Sequence, residues 1–416
     1  MSRVGTGVVT GELTATVRDA DTRLDRAIVA ANSDLAGLAV LLDDDALADL
    51  LGAPGVRADR LRLKPASSAR VAVVDAEGRW SIVHAYTPAT WAKAAKDIRV
   101  ARQHGRPFVV DGDLRIVAAR ASFDRRLQAI QVWRPDSPRG PRRRAFDALR
   151  SLGVGRGGID RRAISVRTMA HNPSRRWVGA VSLAGEPVAV VKVFARRASA
   201  ARAPELAGAL AASGVVVAEH VAAPGLPGTY ATSWVGGRHA DAAADADVVG
   251  TAVTRLSAGD PGDLPASEPA GNPAAMAASL TSAARALGSL DAEWGRRAEV
   301  VAQRLDRRPR VASEVAVHGD LSPDQLLIDG AGVTVIDLDR AGRGPAGWDA
   351  ASWIAAQVAA DPGARPVALP GPAPDDWTVA ATSLLRAPEP FRRRRSGRAA
   401  ATEALLCAAE DAAGRC

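Results

Sequence analysis

The stretch VAVHGDLSPDQLLIDGAGVTVID, Val315–Asp337, decides how this chain is to be read. Leu326–Ile328 and Val333–Ile336 are short apolar runs on either side of Asp329-Gly-Ala-Gly332, a strong local signal for a β-hairpin. Pairing residues symmetrically about that turn sets Gln325 opposite Asp337 at the open end of the ribbon. Asp320 lies five residues before Gln325, in the loop that enters the hairpin. One compact feature thus offers a carboxylate base together with an amide and a carboxylate. Such hard oxygen donors suit Mg²⁺, which keeps its other positions for water and phosphate. The arrangement fits phosphoryl transfer, where a loose transition state asks the protein mainly to position groups and neutralise charge. In that chemistry Asp320 accepts the proton of a substrate hydroxyl, Gln325 and Asp337 hold the metal, and His318 braces the loop through a hydrogen bond.

Working outward, Ile164–Ala170, Arg175–Leu183 and Val188–Phe194 predict an antiparallel meander with turns at His171–Ser174 and Ala184–Pro187. Lys192 places a charge in the middle of the apolar strand VAVVKVF, which is costly without a partner or ligand. Glu205 is the first carboxylate after it, on an Ala-rich helix expected to open near Pro204. Further strands are expected at Val215–Val217 and ending at Trp234-Val235-Gly236-Gly237. Beyond the glycine pair the pattern turns helical, near 241–257, 274–306, 349–359, 376–386 and 399–413.

These residues support a family resemblance. HGDLSPDQLL followed by VIDLDRAG resembles the HGDxxxxN and IDxxRxG signatures of the aminoglycoside-phosphotransferase and choline-kinase-like group, itself related to protein kinases. The resemblance is dense from about residue 160 to 395. It implies a bilobal α+β fold, with an antiparallel-sheet small lobe and a mainly helical large lobe, and an ATP- and Mg²⁺-dependent small-molecule kinase. Lys192 would meet the phosphates and pair with Glu205. The backbone at Trp234 and Val235 would hold adenine, and His171–Ser174 would cover the nucleotide. Asp349, at a helix start, would stiffen the catalytic loop, while Asp339 reads either as an aid to the metal or as a surface acid near the functional loop. The departure is Gln325, where most members carry Asn; maltokinases and actinobacterial glucosamine kinases of the group also place Gln there. The acceptor could be an aminoglycoside-like antibiotic, an amino alcohol or a sugar. The alternative is a pseudokinase-like protein that binds nucleotide without turnover, motivated by Gln325 and by an N-terminal region able to cover the cleft.

The organisation expected is an N-terminal region, 1–150, a kinase-like small lobe, 151–237, and a helical lobe, 238–416. Residues 59–105 align without a gap onto 167–213 at a constant offset of 108, so the first region reads as a degenerate duplicate of the small lobe. His84 stands where the second copy has Lys192, and Asp97 where it has Glu205. Linkers are expected at 134–144, 257–273 and 361–374, and the glycines of 153–158 read as linker too.

Composition narrows the remaining classes. The chain is 47% hydrophobic and 24% charged, with net charge +8. Of its 54 basic residues only four are lysines, so the charge reflects scattered arginine, and neither 142–144 nor 392–395 is interleaved with aromatics. A nucleic-acid partner is therefore not expected. No apolar run or leader-like start suggests a membrane span or signal peptide, which predicts a cytoplasmic protein. Cys407 and Cys416, both near the C-terminal end, offer neither a disulfide framework nor zinc spacing.

Overall fold

The computed structural model describes residues 8–103, 108–133, 143–154, 160, 163–212, 214–223, 225–259, 262, 264–307, 313–330, 332–371 and 373–416. The expected linker at 134–144 lies outside these residues up to 142, and Arg143 already opens a helix; most of the 153–158 glycine segment also falls outside.

The chain is α+β. It begins with helices α1 (Val8–Ala31), α2 (Leu38–Leu41) and α3 (Asp44–Leu51) and strands β1 (Arg57–Lys64), β2 (Ser68–Val74) and β3 (Trp80–Tyr86). Helix α4 (Ala94–Gln103) precedes β4 (Phe108–Asp111) and β5 (Ile116–Arg120), and two short helices, α5 (Ile130–Trp133) and α6 (Arg143–Ser151), follow. A second sheet comprises β6 (Ile164–Asn172), β7 (Arg176–Leu183), β8 (Glu186–Phe194), β9 (His220–Ala222) and β10 (Thr229–Ser233), with α7 (Arg197–Ala212) inserted after β8. In β6, Ile164, Val166 and Thr168 turn inward while Ser165, Arg167 and Met169 face out, the period of two that a half-buried strand requires.

The two sheets repeat one design. Their strand orders are β1-β2-β3-β5-β4 and β6-β7-β8-β10-β9. The offset of 108 read from the sequence also preserves the pairing: Arg70↔His84 becomes Val178↔Lys192, and Val71↔Val83 becomes Gly179↔Val191. Each first strand carries a bulge, between Ala58 and Arg60 in one and between Thr168 and Ala170 in the other. A register error of one residue would turn every side chain to the opposite face, so agreement over the consecutive pairs from Ser68↔Tyr86 to Val73↔Ser81, before a shift between Val181 and Ser182 in the second sheet, is a demanding match.

The remaining elements are β11 (Arg238–His239), α8 (Ala246–Ala258), α9 (Pro273–Gly288), α10 (Ala292–Arg307), β12 (Glu314–Val317), β13 (Leu326–Asp329), β14 (Gly332–Val335), β15 (Gly342–Pro345), α11 (Trp348–Ala360), α12 (Asp376–Arg386), α13 (Glu389–Arg392) and α14 (Arg398–Arg415). Helices α9 to α12 and α14 share an apolar core; on α10 it takes Ala298, Val301, Ala302 and Leu305, the spacing of one helical face. The N-terminal helices and first sheet form another core, which reaches Leu290 and Phe391 of the helical part. Polar contacts reinforce that junction: Arg394 pairs with Asp25 at 2.7 Å and Arg398 with Asp21 at 3.1 Å. Among the described residues no helix is long and apolar enough to cross a membrane.

Three local expectations are corrected. Helix α7 opens at Arg197, with Pro204 inside it, because Ala200 and Ala203 pack on Tyr230 and Phe194 and hold the earlier turns. Val215–Val217 is not a strand but a segment with one bridge, Val217 to Val335. In the hairpin, Asp329 pairs with Gly332 and Leu326 with Val335, so Gln325 lies opposite Ile336 and Asp337 one residue beyond. The two-residue connection between Asp329 and Gly332 fixes that register.

Candidate functional site

The loop between β12 and β13 is held by its neighbours. Asp349, buried in the first turn of α11, accepts the backbone N–H of His318 at 2.7 Å and that of Gly319 at 3.0 Å. Trp348 Nε1 donates to Gly319 O at 3.2 Å. Gly319 has φ +82°, and a Cβ there would lie 2.4 Å from Arg340 O, so both backbone conformation and space call for glycine. His318 is fully buried and sits against Ile336 O at 2.8 Å through Nε2. Its Nδ1 accepts the Asp320 N–H at 3.4 Å, which leaves the proton on Nε2 to be donated to that carbonyl. The ring thereby ties the loop to the end of β14. Burial raises the Asp349 carboxyl above its ordinary range, opposed by His318 and the two backbone N–H groups.

Asp320 emerges from this frame half-exposed. Arg386 of α12 reaches one carboxylate oxygen at 3.0 Å, and Arg340 lies 3.4 Å from the other. Gln325 ends a short 3₁₀ turn, Pro323–Gln325; its backbone carbonyl receives Ile336 N–H at 2.9 Å, and its half-buried side-chain amide has no hydrogen-bond partner among the described residues.

Asp337 follows β14 in the left-handed conformation, φ +60°, which points its carboxylate back at the second sheet. Lys192 Nζ meets it at 2.7 Å and Asp339 at 3.3 Å. Arg176, at the start of β7, approaches Asp337 at 3.1 Å and Asp339 at 2.5 Å, and the Tyr230 hydroxyl donates to Asp339. Burial alone would raise the Asp337 carboxyl, but Arg176 and Lys192 outweigh it and hold the group well below the usual carboxylate range. Burial and the nearby carboxylates push the Tyr230 phenol up, so it stays a donor.

The expected Lys192–Glu205 pair does not form. Glu205 is exposed on α7, and the ammonium is taken by Asp337 and Asp339 instead. Of the two readings of Asp339 the surface acid is excluded: its side chain is only 10% exposed and belongs to the cluster. His171–Ser174, expected to cover a nucleotide with free N–H groups, is braced from the other side. Ser174 N–H goes to Asp124, as does His171 Nε2 at 3.2 Å, and Arg175 N–H goes to Asn172 O. Trp234 and Val235 are half-buried immediately after β10, where the chain passes from the sheet to β11; Trp234 N–H is spent on Val188 O. The basic run 392–395 is largely neutralised: Arg392 pairs with Glu389, Arg393 lies 3.8 Å from Asp324, and Arg394 holds Asp25.

Arg176 and Arg386 escaped the sequence reading because arginine is common in this chain and their partners lie far away in sequence, while Arg340 stood inside the quoted VIDLDRAG motif without being given a role. The usable signal for Arg176 was its place at a strand start immediately after a tight turn.

Gln325 and Asp337 form a hard-oxygen set with an unpartnered amide on one side and a partly accessible carboxylate on the other, a donor chemistry that fits Mg²⁺. Among the described residues no cluster of three or more His, Cys, Asp or Glu stands ready as a metal site by itself. A metal here would need oxygens from phosphate or water to complete its shell.

The sequence model of the phosphotransferase enzyme family, APH, matches residues 174–381, half of the chain. No curated protein sequence matches. Solved structures similar to this chain include an aminoglycoside phosphotransferase from Streptomyces rimosus ATCC10970, at 19% identity and TM-score 0.41, covering 63% of this chain and 97% of that one. A choline/ethanolamine kinase family protein from Mesorhizobium loti matches at 18% identity and TM-score 0.41, over 64% of this chain and 98% of that one. Choline kinase from Cryptosporidium parvum Iowa II matches at 12% identity and TM-score 0.39, over 64% and 86%.

Proposed function

The chain belongs to the phosphotransferase enzyme family, and from that premise we propose that it transfers the γ-phosphoryl group of ATP to a hydroxyl of a small polar molecule, an aminoglycoside-like antibiotic, amino alcohol or sugar. The observation that carries this reading is the contact of Lys192 with Asp337 at 2.7 Å. It joins a cation on the small sheet to a carboxylate beside the His318–Asp320 loop. A phosphate chain laid between them would find a cation to bind it and oxygens to hold its counterion.

In this scheme Asp320 is the base. Arg386 and Arg340 fix its orientation while leaving it half-exposed for a substrate hydroxyl. Lys192 binds the phosphates, Gln325 and Asp337 hold Mg²⁺, and the backbone at Trp234 and Val235 meets adenine. Glu205 is left without the role of orienting Lys192, which passes to Asp339. Magnesium, when bound, would bridge and neutralise phosphate oxygens. The region before 151, the small lobe to 237 and the helical lobe beyond are the proposed division of the chain, and the acceptor is proposed to enter from the side of the helical lobe that carries Arg386. The partner is thus a small molecule rather than a nucleic acid, and the compartment proposed is the cytoplasm.

Asp320→Asn tests the scheme. ADP release across a panel of amino sugars, amino alcohols and sugars should fall by roughly 10²–10⁴-fold, while ATP with MgCl₂ still raises the melting temperature. Unchanged turnover would overturn the assignment. The second reading, nucleotide binding without turnover, is favoured by Arg176, whose guanidinium already engages both oxygens of Asp337, at 3.1 and 3.3 Å. It predicts a thermal shift with ATP in wild type and no product from any acceptor.

A further inference from the structure

The N-terminal sheet keeps the register of the second sheet but reverses its charge balance. At the position of Lys192 it carries His84, only 4% exposed. His84 Nδ1 faces Asp97 Oδ2 at 3.3 Å, and Arg70 Nε lies across the ring, 3.0 Å from Nε2 and 3.2 Å from Nδ1. Burial, only partly offset by Asp97, lowers the imidazole to about 4. Tyr86 also donates to Asp97. The carboxylate at this floor, Asp97, is therefore engaged by His84, Tyr86 and Arg125.

Above it lies a cavity of about 220 Å³ lined by Lys64, Arg70, Lys93, Lys96 and Arg125, with hydroxyls from Ser67, Ser68 and Thr90. It adjoins a second hollow that adds Arg62, Arg126 and Ser174. Three of the chain's four lysines thus meet at one cavity. Among the described residues Lys64, Lys93, Lys96 and Arg62 form no ion pair, and Arg125 reaches only Asp97, at 3.6 Å. Their crowding has a cost. Burial, then the charges of Arg175, Arg70 and Arg126, pulls the Arg62 guanidinium down to about 10, and the Arg62 charge lowers the Lys64 ammonium.

A solvated basic face would spread such charges apart on a convex surface. Here they converge on a concavity with a neutral, hydrogen-bonded floor, the arrangement that concentrates anions. In the second sheet the equivalent cation meets both Asp337 and Asp339, whereas among the described residues His84 of the first sheet meets Asp97 alone. We propose that this cavity is a second binding site, for a small phosphorylated molecule whose phosphate oxygens bridge Lys64, Arg70 and Lys96. The volume corresponds to about seven waters at ~30 Å³ each, enough for a phosphate monoester or a diphosphate of modest size. Arg70 also donates to Ser174 Oγ at 2.5 Å, so a bound anion shares its guanidinium with the turn that leads into β7.

Isothermal titration of the full chain with inorganic pyrophosphate and with orthophosphate at low salt tests the site, together with hydrogen exchange to locate binding. Pyrophosphate is expected to bind with sub-millimolar affinity and to slow exchange at 64–70 and 93–97. Lys64→Ala combined with Lys96→Ala should weaken it at least tenfold. Because neither lysine has an ion-pair partner among the described residues, that variant should melt at or above the wild-type temperature, which separates a lost site from a lost fold. Preference for pyrophosphate would identify a ligand with two phosphoryl groups, and preference for orthophosphate a monoester. Absence of binding, equal affinity in the double variant, or protection confined to the surroundings of Lys192 would overturn the proposal. None of these measurements requires turnover, so they stand apart from the kinase assignment.

Discussion

Lys192→Met removes the cation from the centre of the Asp337–Asp339 cluster while keeping the length and most of the volume of the side chain. Two contacts are lost, at 2.7 and 3.3 Å, from an ammonium 9% exposed. At an effective dielectric constant of about 20 each full charge pair at such separations amounts to roughly 5–6 kcal/mol. Several kcal/mol must be subtracted because the ammonium no longer has to be desolvated. Arg176 remains to neutralise one of the two carboxylates. A net loss of about 3–5 kcal/mol follows, the usual cost of breaking a buried pair from one side. The sign of the pH dependence can be fixed as well. With Lys192 present, Asp337 is held below its unfolded value, so its stabilisation is present above that value and lost as pH falls through it. In the variant two buried carboxylates share one arginine, one of them is driven upward, and taking up a proton relieves the repulsion. The deficit of the variant relative to wild type should therefore be largest near pH 8 and shrink toward pH 5. Urea denaturation at both pH values measures it, and adding Asp339→Asn should recover part of the loss at pH 8. A deficit below about 1 kcal/mol, or one independent of pH with no rescue, would refute the claim that this cluster is a desolvated ionic junction.

Other consequences are more local. Asp349→Asn keeps one acceptor for two backbone N–H groups, so one bond to a charged group, about 1.5–3 kcal/mol, should be lost from urea stability; ADP release should fall with it because His318 and Gly319 lose their anchor. Glu389 bonds Arg392 at 2.8 Å and Arg60 of β1 at 3.3 Å; burial opposes its ionisation, yet Arg392 and Arg60 bring its carboxyl from the ordinary 4.5 to about 2. Its contribution is fully present above pH 4.5 and lost as pH falls toward 2, so Glu389→Gln should flatten the acid limb of a melting-temperature profile. Gly319→Ala meets both a positive φ and the Arg340 carbonyl, and should lower the yield of folded protein or its stability by about 1–3 kcal/mol.

What was legible in the sequence follows from the range of the forces involved. The hairpin, the meander and the helices near 376–386 and 399–413 rest on local periodicity and turn chemistry, and they appear where expected. Lys192 was legible because a charge inside an apolar strand demands a partner, but the partner's identity was not. The nearest acid on the next helix, Glu205, was the economical choice, and it points to solvent. Asp339 wins because the left-handed turn at Asp337 brings both acids under the sheet, a conformation that nothing in VIDLDR announces. The hairpin register was missed by one residue for a related reason, since counting symmetrically to the nearest functional side chain is not the same as counting hydrogen-bonded pairs. Arg386 was invisible because an arginine-rich chain gives no statistical contrast between a solvated guanidinium and one that grips Asp320.

The repeated sheet explains why the turn before β7 differs from expectation. In a small lobe standing alone, the residues between β6 and β7 would be free to close over a nucleotide with their own N–H groups. Here the equivalent face of the N-terminal copy has been turned into a support: Asp124 takes Ser174 N–H and approaches His171, while Arg70 takes Ser174 Oγ. Burial works against the Asp124 charge, but His171 and the backbone donors hold its carboxyl low, so the brace persists at neutral pH. A turn fixed from behind is not free to close on a phosphate, so a nucleotide at the proposed site would meet cations rooted in strands, Lys192 of β8 and Arg176 of β7. The N-terminal sheet thus holds the turn before β7 from behind, while among the described residues Lys64, Lys93 and Lys96 around the cavity above His84 form no ion pair.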